Sequence, residues 1–297
     1  MRSLLFVPAD SERKLTKSLQ SGADVLIFDL EDAVSMSRKS AGRHELATFL
    51  ASDAAQAVRN AADGPALYVR VNDLGTGMSL EDLKAVMPFR PAGVVLPKCR
   101  HQEDLSRLSH YLDAFEALYP EAVDTQTSVI AIVTETAESL AGLDSYRKAG
   151  ARLQGLMWGA EDLSGDLGAL SNKDEASGQW LPAFQYARTR CLIAAAAAGV
   201  RAIDTVPTNI HNLVGLKQET EQAYKEGFSA KAAIHPGQVP VINEAMTPNE
   251  KAVGWARQVI AAFEASAQVG VATLDGKMLD TPHRRLAEKI LSAGSAT

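Results

Sequence analysis

Glu135 and Asp162 are the residues of this sequence best placed to do chemistry, because each ends a short apolar run typical of a buried strand. The two runs, 129–135 and 153–162, follow each other along the chain. Two adjacent carboxylates suit a hard divalent cation, and Mg²⁺, with Mn²⁺ as the alternative, commonly binds one or two carboxylates plus water and substrate oxygens. The spacing leaves a second interpretation open, in which one acid caps the helix or loop that follows it.

Arg70 lies inside an apolar run, between Val69 and Val71, so its side chain must reach a polar barrel mouth or an acidic partner. A guanidinium can bind a carboxylate or an enolate oxygen through two hydrogen bonds. The competing interpretation is a structural ion pair with Asp29 or Glu31, which end the preceding apolar run.

Other polar residues at the ends of the runs are expected to support this chemistry rather than perform it. They are Asp29, Glu31, Asn72, Lys98, Asp204 and His235. Arg13 and Lys17 follow the first run and, by composition alone, belong to a solvated helix face. They gain a role only if the ligand carries phosphates.

Eight short apolar runs alternate with segments of helical periodicity, which predicts βαβ units and a parallel sheet. The eighth run ends at Pro236, close to the length of about 250 residues that is typical of a (β/α)8 barrel. The rival is an open doubly wound sheet, but the turn at residues 7–11 lacks its glycine-rich fingerprint. Active sites of such barrels lie at the carboxyl ends of the strands.

The chain changes character after the barrel, so we assign residues 1–240 to the barrel with its active site and 241–297 to a C-terminal helical lid or oligomerisation segment. Residues 247–250 predict a capping box with Pro248 at the first helical position. Residues 269–280 are predicted as a glycine-containing connector before a last helix.

The bulk properties exclude several classes of protein. The 297 residues carry a net charge of −6, which argues against nucleic acid or an anionic membrane as the main partner. Only two cysteines are present, so a disulfide framework is not expected. No apolar stretch approaches the ~18 residues of a membrane span. We expect a soluble cytoplasmic protein.

Nine motifs, in their order along the chain, resemble the citrate lyase beta-subunit-like family of malyl-CoA and citramalyl-CoA lyases, within the HpcH/HpaI aldolase superfamily. The motifs are FVP at 6–8, DLEDAV at 29–34, VRVN at 69–72, LPK at 96–98, ETA at 135–137, GAEDL at 159–163, AIDT at 202–205, IHPGQ at 234–238 and DGKMLD at 275–280. Single motifs are weak signals, whereas the ordered set spans nearly the whole chain.

The resemblance implies an α/β fold, a (β/α)8 TIM barrel with a C-terminal helical lid, assembled as a homotrimer or hexamer. It implies Mg²⁺ on Glu135 and Asp162, with Glu135 also next to the substrate. It places Arg70 at the reacting oxygens, as both a catalytic and a substrate-binding residue.

The resemblance further implies that Asp280 acts as a catalytic residue in the site of a neighbouring subunit, which explains why a segment is appended to a finished barrel. Asp280 would give a proton to the enolate carbon, or remove it in the condensation direction. Arg13 and Lys17 would bind the phosphates of coenzyme A.

The function implied is Mg²⁺-dependent cleavage or formation of a 3-hydroxyacyl-CoA thioester such as malyl-CoA or citramalyl-CoA, with acetyl-CoA and a 2-oxo acid as the other partners. One alternative is the beta subunit of a citrate lyase, whose thioester is carried on an acyl carrier protein. A second is a 2-keto acid aldolase, which often uses a histidine base, and the second run offers none. A third is a non-catalytic protein that kept the fold, against which the intact Glu135, Asp162, Arg70 and Asp280 argue.

Overall fold

The computed structural model describes residues 1–120, 126–266 and 270–294. Within them, eight parallel strands close into a barrel in which each strand pairs with the next along the chain and the last pairs with the first. The strands are β1 (Ser3–Pro8), β2 (Val25–Asp29), β3 (Ala66–Arg70), β4 (Gly93–Leu96), β5 (Ser128–Ile132), β6 (Leu153–Met157), β7 (Arg201–Asp204) and β8 (Ala230–Ala233). The predicted TIM barrel is confirmed.

Helices follow the strands, as the apolar periodicity of the intervening segments predicts. They are α1 (Glu12–Ser18), α2 (Lys39–Ala51), α3 (Asp53–Asn60), α4 (Ser79–Val86), α5 (Gln102–Leu118), α6 (Ala137–Gly142), α7 (Glu161–Leu167), α8 (Pro182–Ala198), α9 (Leu213–Glu226) and α10 (Val239–Ala245). Gly199 and Gly227 end α8 and α9 with φ values of 70° and 115°, a conformation that glycine adopts without a steric cost. No helix of the described residues is long and apolar enough to cross a membrane.

Apolar side chains fill the barrel interior, because every second residue of a strand points inward. The buried cluster contains Leu4, Val25, Ile27, Tyr68, Val95, Ile130, Ile132, Met157, Ile203, Ala230 and Ala232. Asp29 and Arg70 lie two positions beyond Ile27 and Tyr68, so they continue the inward face toward the carboxyl ends of the strands. The parallel register places Asp29 beside Arg70.

The chain divides into two compact units, Met1–Asn243 and Glu244–Thr297. The second unit contains helix α11 (Glu250–Ala265), strands β9 (Val271–Leu274) and β10 (Lys277–Asp280), and helix α12 (Thr281–Gly294). Its buried core is formed by Ala256, Val259, Ala272, Leu279 and Ala287.

Two local predictions for the second unit are wrong. The predicted connector, over its described part at 270–280, is mainly an antiparallel hairpin of β9 and β10. Asp275 and Gly276 make its tight turn with φ values of 49° and 73°, which is the conformation that two-residue hairpin loops favour. The side chain of Asn249 accepts the N–H of Ala252 and caps α11, so Pro248 lies outside the helix.

Candidate active site

A cavity of about 370 Å³ lies at the carboxyl ends of the barrel strands. Its polar side is lined by Asp29, Asp32, Arg70, Glu135, Glu161, Asp162 and Thr205, and its apolar side by Phe6, Pro8, Ile132, Met157, Trp158, Val206 and Ile234 among others. The structure therefore brings Glu135, Asp162 and Arg70 to one cavity. None of the described residues that line it is a histidine.

Glu135 follows β5 and is buried, with 3% of its surface exposed. Its Oε2 accepts the backbone N–H of Lys98. A Cβ added at Gly159 would lie 2.8 Å from the Glu135 Cγ, so this glycine permits the end of β6 to approach the carboxylate closely. Helix α6 is capped by the Thr136 side chain, which accepts the N–H of Ser139. The Glu135 carboxylate is therefore not the cap of the helix that follows it.

Asp162 lies in the first turn of α7, where its side chain is 35% exposed. The residue at the capping position of α7 is Ala160, without a side-chain hydrogen bond. Asp162 Oδ1 lies 3.4 Å from the Nζ of Lys98. Neither carboxylate of the pair thus serves as a helix cap, in contrast to the alternative that the spacing had left open.

Electrostatics at Glu135 favour a bound cation. Burial and the neighbouring charges of Asp162 and Glu31 together raise the pKa of its carboxyl to about 8, against the opposing effect of Arg70. Within the described residues, no three His, Cys, Asp or Glu side chains converge on a complete metal site. The donor set fits Mg²⁺ bound by two protein carboxylates, because this ion retains waters and substrate oxygens as its other ligands.

Arg70 makes the ion pairs that the competing interpretation predicted, and it also lines the cavity. Its Nε and Nη2 lie 2.8 and 2.6 Å from the two carboxylate oxygens of Asp29. Its Nη1 lies 2.8 Å from Glu31 Oε2. The guanidinium carbon lies 4.9 Å from the ring centre of Phe6. Because a guanidinium has five N–H groups, donors remain for an oxygen in the cavity.

Lys98 is more central than its position after β4 indicated. Its Nζ donates to Glu31 and lies 3.6 Å from Asp32 Oδ2, in addition to its contact with Asp162. Burial acts against the charged form, but Glu31, Glu135 and Asp162 raise the pKa of the ammonium above its ordinary value. Asp32, the third acid of the motif that contains Asp29 and Glu31, also lines the cavity.

Of the six residues that were expected to support the site, only Asp29 lines the cavity. Glu31 and Lys98 contact the lining residues Arg70 and Asp162, whereas Asn72, Asp204 and His235 are held by other partners. Asp204 follows the inward-facing Ile203 and so points outward. Its carboxylate there accepts hydrogen bonds from the Nε1 of Trp158 at 2.6 Å and from the Nζ of Lys231 at 2.7 Å. The Nδ2 of Asn72 donates to Asp82 at 2.7 Å. The Nδ1 of His235 accepts the N–H of Gly237 at 3.1 Å, which is a local turn contact. The Trp158 side chain that Asp204 contacts lines the cavity.

The remaining predicted residues, Arg13, Lys17 and Asp280, lie on α1 and β10. Arg13 and Lys17 are exposed on α1. Asp280 ends β10 in the second unit, and its Oδ1 lies 2.6 Å from the Nδ1 of His283. The coenzyme-binding and catalytic roles of these residues stay predictions.

Residues 2–236 match the family model described as HpcH/HpaI aldolase/citrate lyase, and residues 182–296 match the one described as C-C bond lyase of the TIM-barrel fold. The chain belongs to the HpcH/HpaI aldolase/citrate lyase family. Among its relatives is the mitochondrial citramalyl-CoA lyase of Rattus norvegicus, 29% identical over 99% of this chain and 86% of the relative. The (3S)-malyl-CoA thioesterase of Cereibacter sphaeroides is 32% identical over 99% of this chain and 95% of the relative.

Among solved structures of this family, the chain is similar to CitE from Mycobacterium tuberculosis in complex with magnesium, acetoacetate and coenzyme A. The identity is 31% with a TM-score of 0.79, over 99% of this chain and 98% of that chain. The relatives thus include a citramalyl-CoA lyase, and the CitE structure holds magnesium and coenzyme A.

Proposed function

We propose that this protein is a cytoplasmic, Mg²⁺-dependent carbon–carbon lyase. It cleaves a 3-hydroxyacyl-CoA thioester such as malyl-CoA or citramalyl-CoA into acetyl-CoA and a 2-oxo acid, or forms the thioester from them. The observation that carries the proposal is the convergence of Glu135, Asp162 and Arg70 on one cavity. The citramalyl-CoA lyase relative and the CitE complex with magnesium and coenzyme A support the same chemistry.

Glu135 and Asp162 would hold Mg²⁺, which supplies Lewis-acid polarisation of the substrate's hydroxyl and carboxylate oxygens. In cleavage, the hydroxyl proton leaves to solvent and the bond between carbons 2 and 3 breaks. Its electron pair passes to the thioester enolate. Arg70 would stabilise the enolate oxygen, and its pair with Asp29 holds the guanidinium in place before the charge develops.

The enolate carbon must then receive a proton, and we assign this step to Asp280. Asp280 would come from a neighbouring subunit of a homotrimer or hexamer. The apolar side of the cavity, which includes Phe6, Ile132 and Met157, would keep water away from the enolate. Arg13 and Lys17, exposed on α1, would bind the phosphates of coenzyme A.

A thioester panel tests this proposal. Purified protein with Mg²⁺ or Mn²⁺ is given malyl-CoA, citramalyl-CoA, citryl-CoA and a citryl thioester on an acyl carrier protein. The 2-oxo acid, acetyl-CoA and free CoA are measured separately. We expect equal amounts of 2-oxo acid and acetyl-CoA from at least one substrate. Free CoA without acetyl-CoA would instead indicate thioester hydrolysis. Cleavage only of a citryl thioester on an acyl carrier protein would assign the protein to citrate lyase.

Variants test the metal assignment. Glu135→Gln and Asp162→Asn should each abolish metal-dependent turnover while the circular dichroism spectrum stays native. Glu138→Gln is a matched control, because Glu138 lies in the first turn of α6 with a side chain that is 68% exposed. Full activity in Glu135→Gln or in Asp162→Asn would contradict the assignment of these carboxylates as metal ligands.

A further inference from the structure

The Lys98 ammonium lies among carboxylates from two other segments of the barrel. Its Nζ donates to Glu31 and lies 3.4 Å from Asp162 and 3.6 Å from Asp32. Its backbone N–H donates to Glu135. One residue therefore touches both carboxylates to which we assign the metal, one through its backbone and the other through its charge.

The backbone of Lys98 is held in an uncommon conformation. Its φ is 50°, a left-handed value shared, among non-glycine residues of the described chain, with Arg90 and Asp275. Asp275 is explained by its hairpin turn, whereas Lys98 follows the end of β4 at the active site. A lysine pays a steric cost in this region, and such residues cluster at functional sites. The conformation allows Lys98 to contact Glu135 with its N–H while its side chain reaches Asp162.

The charges around Lys98 are not balanced. Arg70 neutralises Asp29 through a two-bond pair and also shares Glu31 with Lys98, at 2.8 Å from its Nη1. The Lys98 ammonium then faces Glu31, Asp32 and Asp162. A cation that contacts Asp162 directly repels any second cation that uses the same carboxylate.

We propose that the Lys98 ammonium is an internal competitor of the divalent cation, which holds Asp162 in the metal-free protein and weakens metal binding at Glu135 and Asp162. The inference rests on the proposed function, which assigns the metal to these two carboxylates. A scaffolding role for Lys98 makes the opposite prediction, because loss of a group that orients the ligands weakens binding.

The test measures Mn²⁺ binding to the metal-stripped, full-length protein without substrate, by the electron paramagnetic resonance signal of free Mn²⁺. Lys98→Met removes the charge and keeps much of the side-chain length. We expect its Kd for Mn²⁺ to fall by about tenfold or more, because a repulsive charge within a few ångströms of the cation is lost. Lys98→Arg keeps the charge and should stay within about threefold of the wild type on the same argument.

Lys98→Gly is the second variant, since glycine adopts a φ of 50° without strain and keeps the N–H that Glu135 accepts. Both variants lose the charge, but only Lys98→Gly also relieves the backbone strain. It should tighten Mn²⁺ binding as Lys98→Met does, because the expected effect comes from the charge. Unchanged or weaker binding in a natively folded Lys98→Gly protein would overturn the inference while leaving the proposed function intact. Failure of the wild type to bind Mn²⁺, or undiminished binding by Asp162→Asn, would instead overturn the metal site itself, and the inference with it.

Discussion

Asp29 and Arg70 form a two-bond ion pair across neighbouring strands, with distances of 2.8 Å from Nε to Oδ1 and 2.6 Å from Nη2 to Oδ2. The parallel register of β2 and β3 places the two residues side by side. The Asp29 carboxylate also accepts the backbone N–H groups of Glu31 and Ala33, at 2.9 and 3.1 Å. The guanidinium is thus anchored by a carboxylate that is itself fixed by the backbone.

Arg70→Lys should lower kcat/KM by about 100-fold or more, because an ammonium cannot make the two-bond pair and so loses its fixed position at the enolate oxygen. The measurement is steady-state cleavage of the preferred CoA thioester. Arg38→Lys is the control, since Arg38 is a half-exposed arginine that also pairs with an aspartate, Asp10. If Arg70→Lys kept activity as well as Arg38→Lys does, Arg70 would have only a structural role.

Asp280 should act in the site of a neighbouring subunit. Inactive Arg70→Ala and Asp280→Ala proteins are mixed, dissociated and reassembled, and activity is measured in verified mixed oligomers. In a random equal mixture about a quarter of the sites would contain both native residues, so activity should return to that fraction of the wild type. Reassembly of each variant alone is the control. Absence of any rescue in mixed oligomers would argue against a shared site.

The alternation of inward and outward side chains along a strand explains why some site residues were predictable and others were not. Continuous apolar runs reveal that a strand is buried on both faces, but they hide which residues point inward. Asp29 lies two residues after the inward Ile27 and enters the site, whereas Asp204 comes directly after the inward Ile203 and points outward. The apolar run at residues 202–207, which contains Asp204, does not reveal this difference.

Backbone geometry accounts for the other features that the sequence prediction did not include. The left-handed φ of Lys98 has no sequence signal, because lysine rarely adopts it. The hairpin turn at Asp275 and Gly276 did carry one, since an Asp-Gly pair favours such turns. The barrel itself was predictable because eight runs and their helices repeat the same βα unit.

Gly93→Ala should destabilise the barrel, because a Cβ at this position would lie 2.1 Å from Cε1 of the buried Tyr68. We expect a loss of about 1–3 kcal/mol in the free energy of unfolding, measured by urea denaturation. Gly254→Ala is the control, since nothing lies within 4 Å of its added Cβ on α11. It should raise stability by roughly 0.5–1 kcal/mol through the helix preference of alanine. In a Tyr68→Val background the same Gly93→Ala change should cost less than in the wild type, because the clashing ring is absent.

Glu116 should make part of the stability depend on pH. Burial acts to raise the pKa of its carboxyl, but hydrogen bonds from Arg152 and from the Thr127 N–H lower it from 4.5 to about 2. The distances are 2.6 Å from Arg152 Nη2 to Oε2 and 2.8 Å from the Thr127 N–H to Oε1. Because the pKa is lower in the folded state, the stabilisation is present above pH 4.5 and is lost as the pH falls toward about 2.

Glu116→Gln should therefore lower the free energy of unfolding at neutral pH by about 1.5–3 kcal/mol, the range for a hydrogen bond to a charged group. The deficit relative to the wild type should shrink as the pH is lowered through the window from 4.5 toward 2, because the wild-type carboxyl becomes protonated there. Urea denaturation of both proteins at a series of pH values measures this difference. Glu103→Gln, an 80% exposed position on the same helix, is the control and should show a small deficit throughout. A Glu116→Gln deficit that stayed constant down to acidic pH would mean that the Arg152 contact does not shift the carboxyl's protonation.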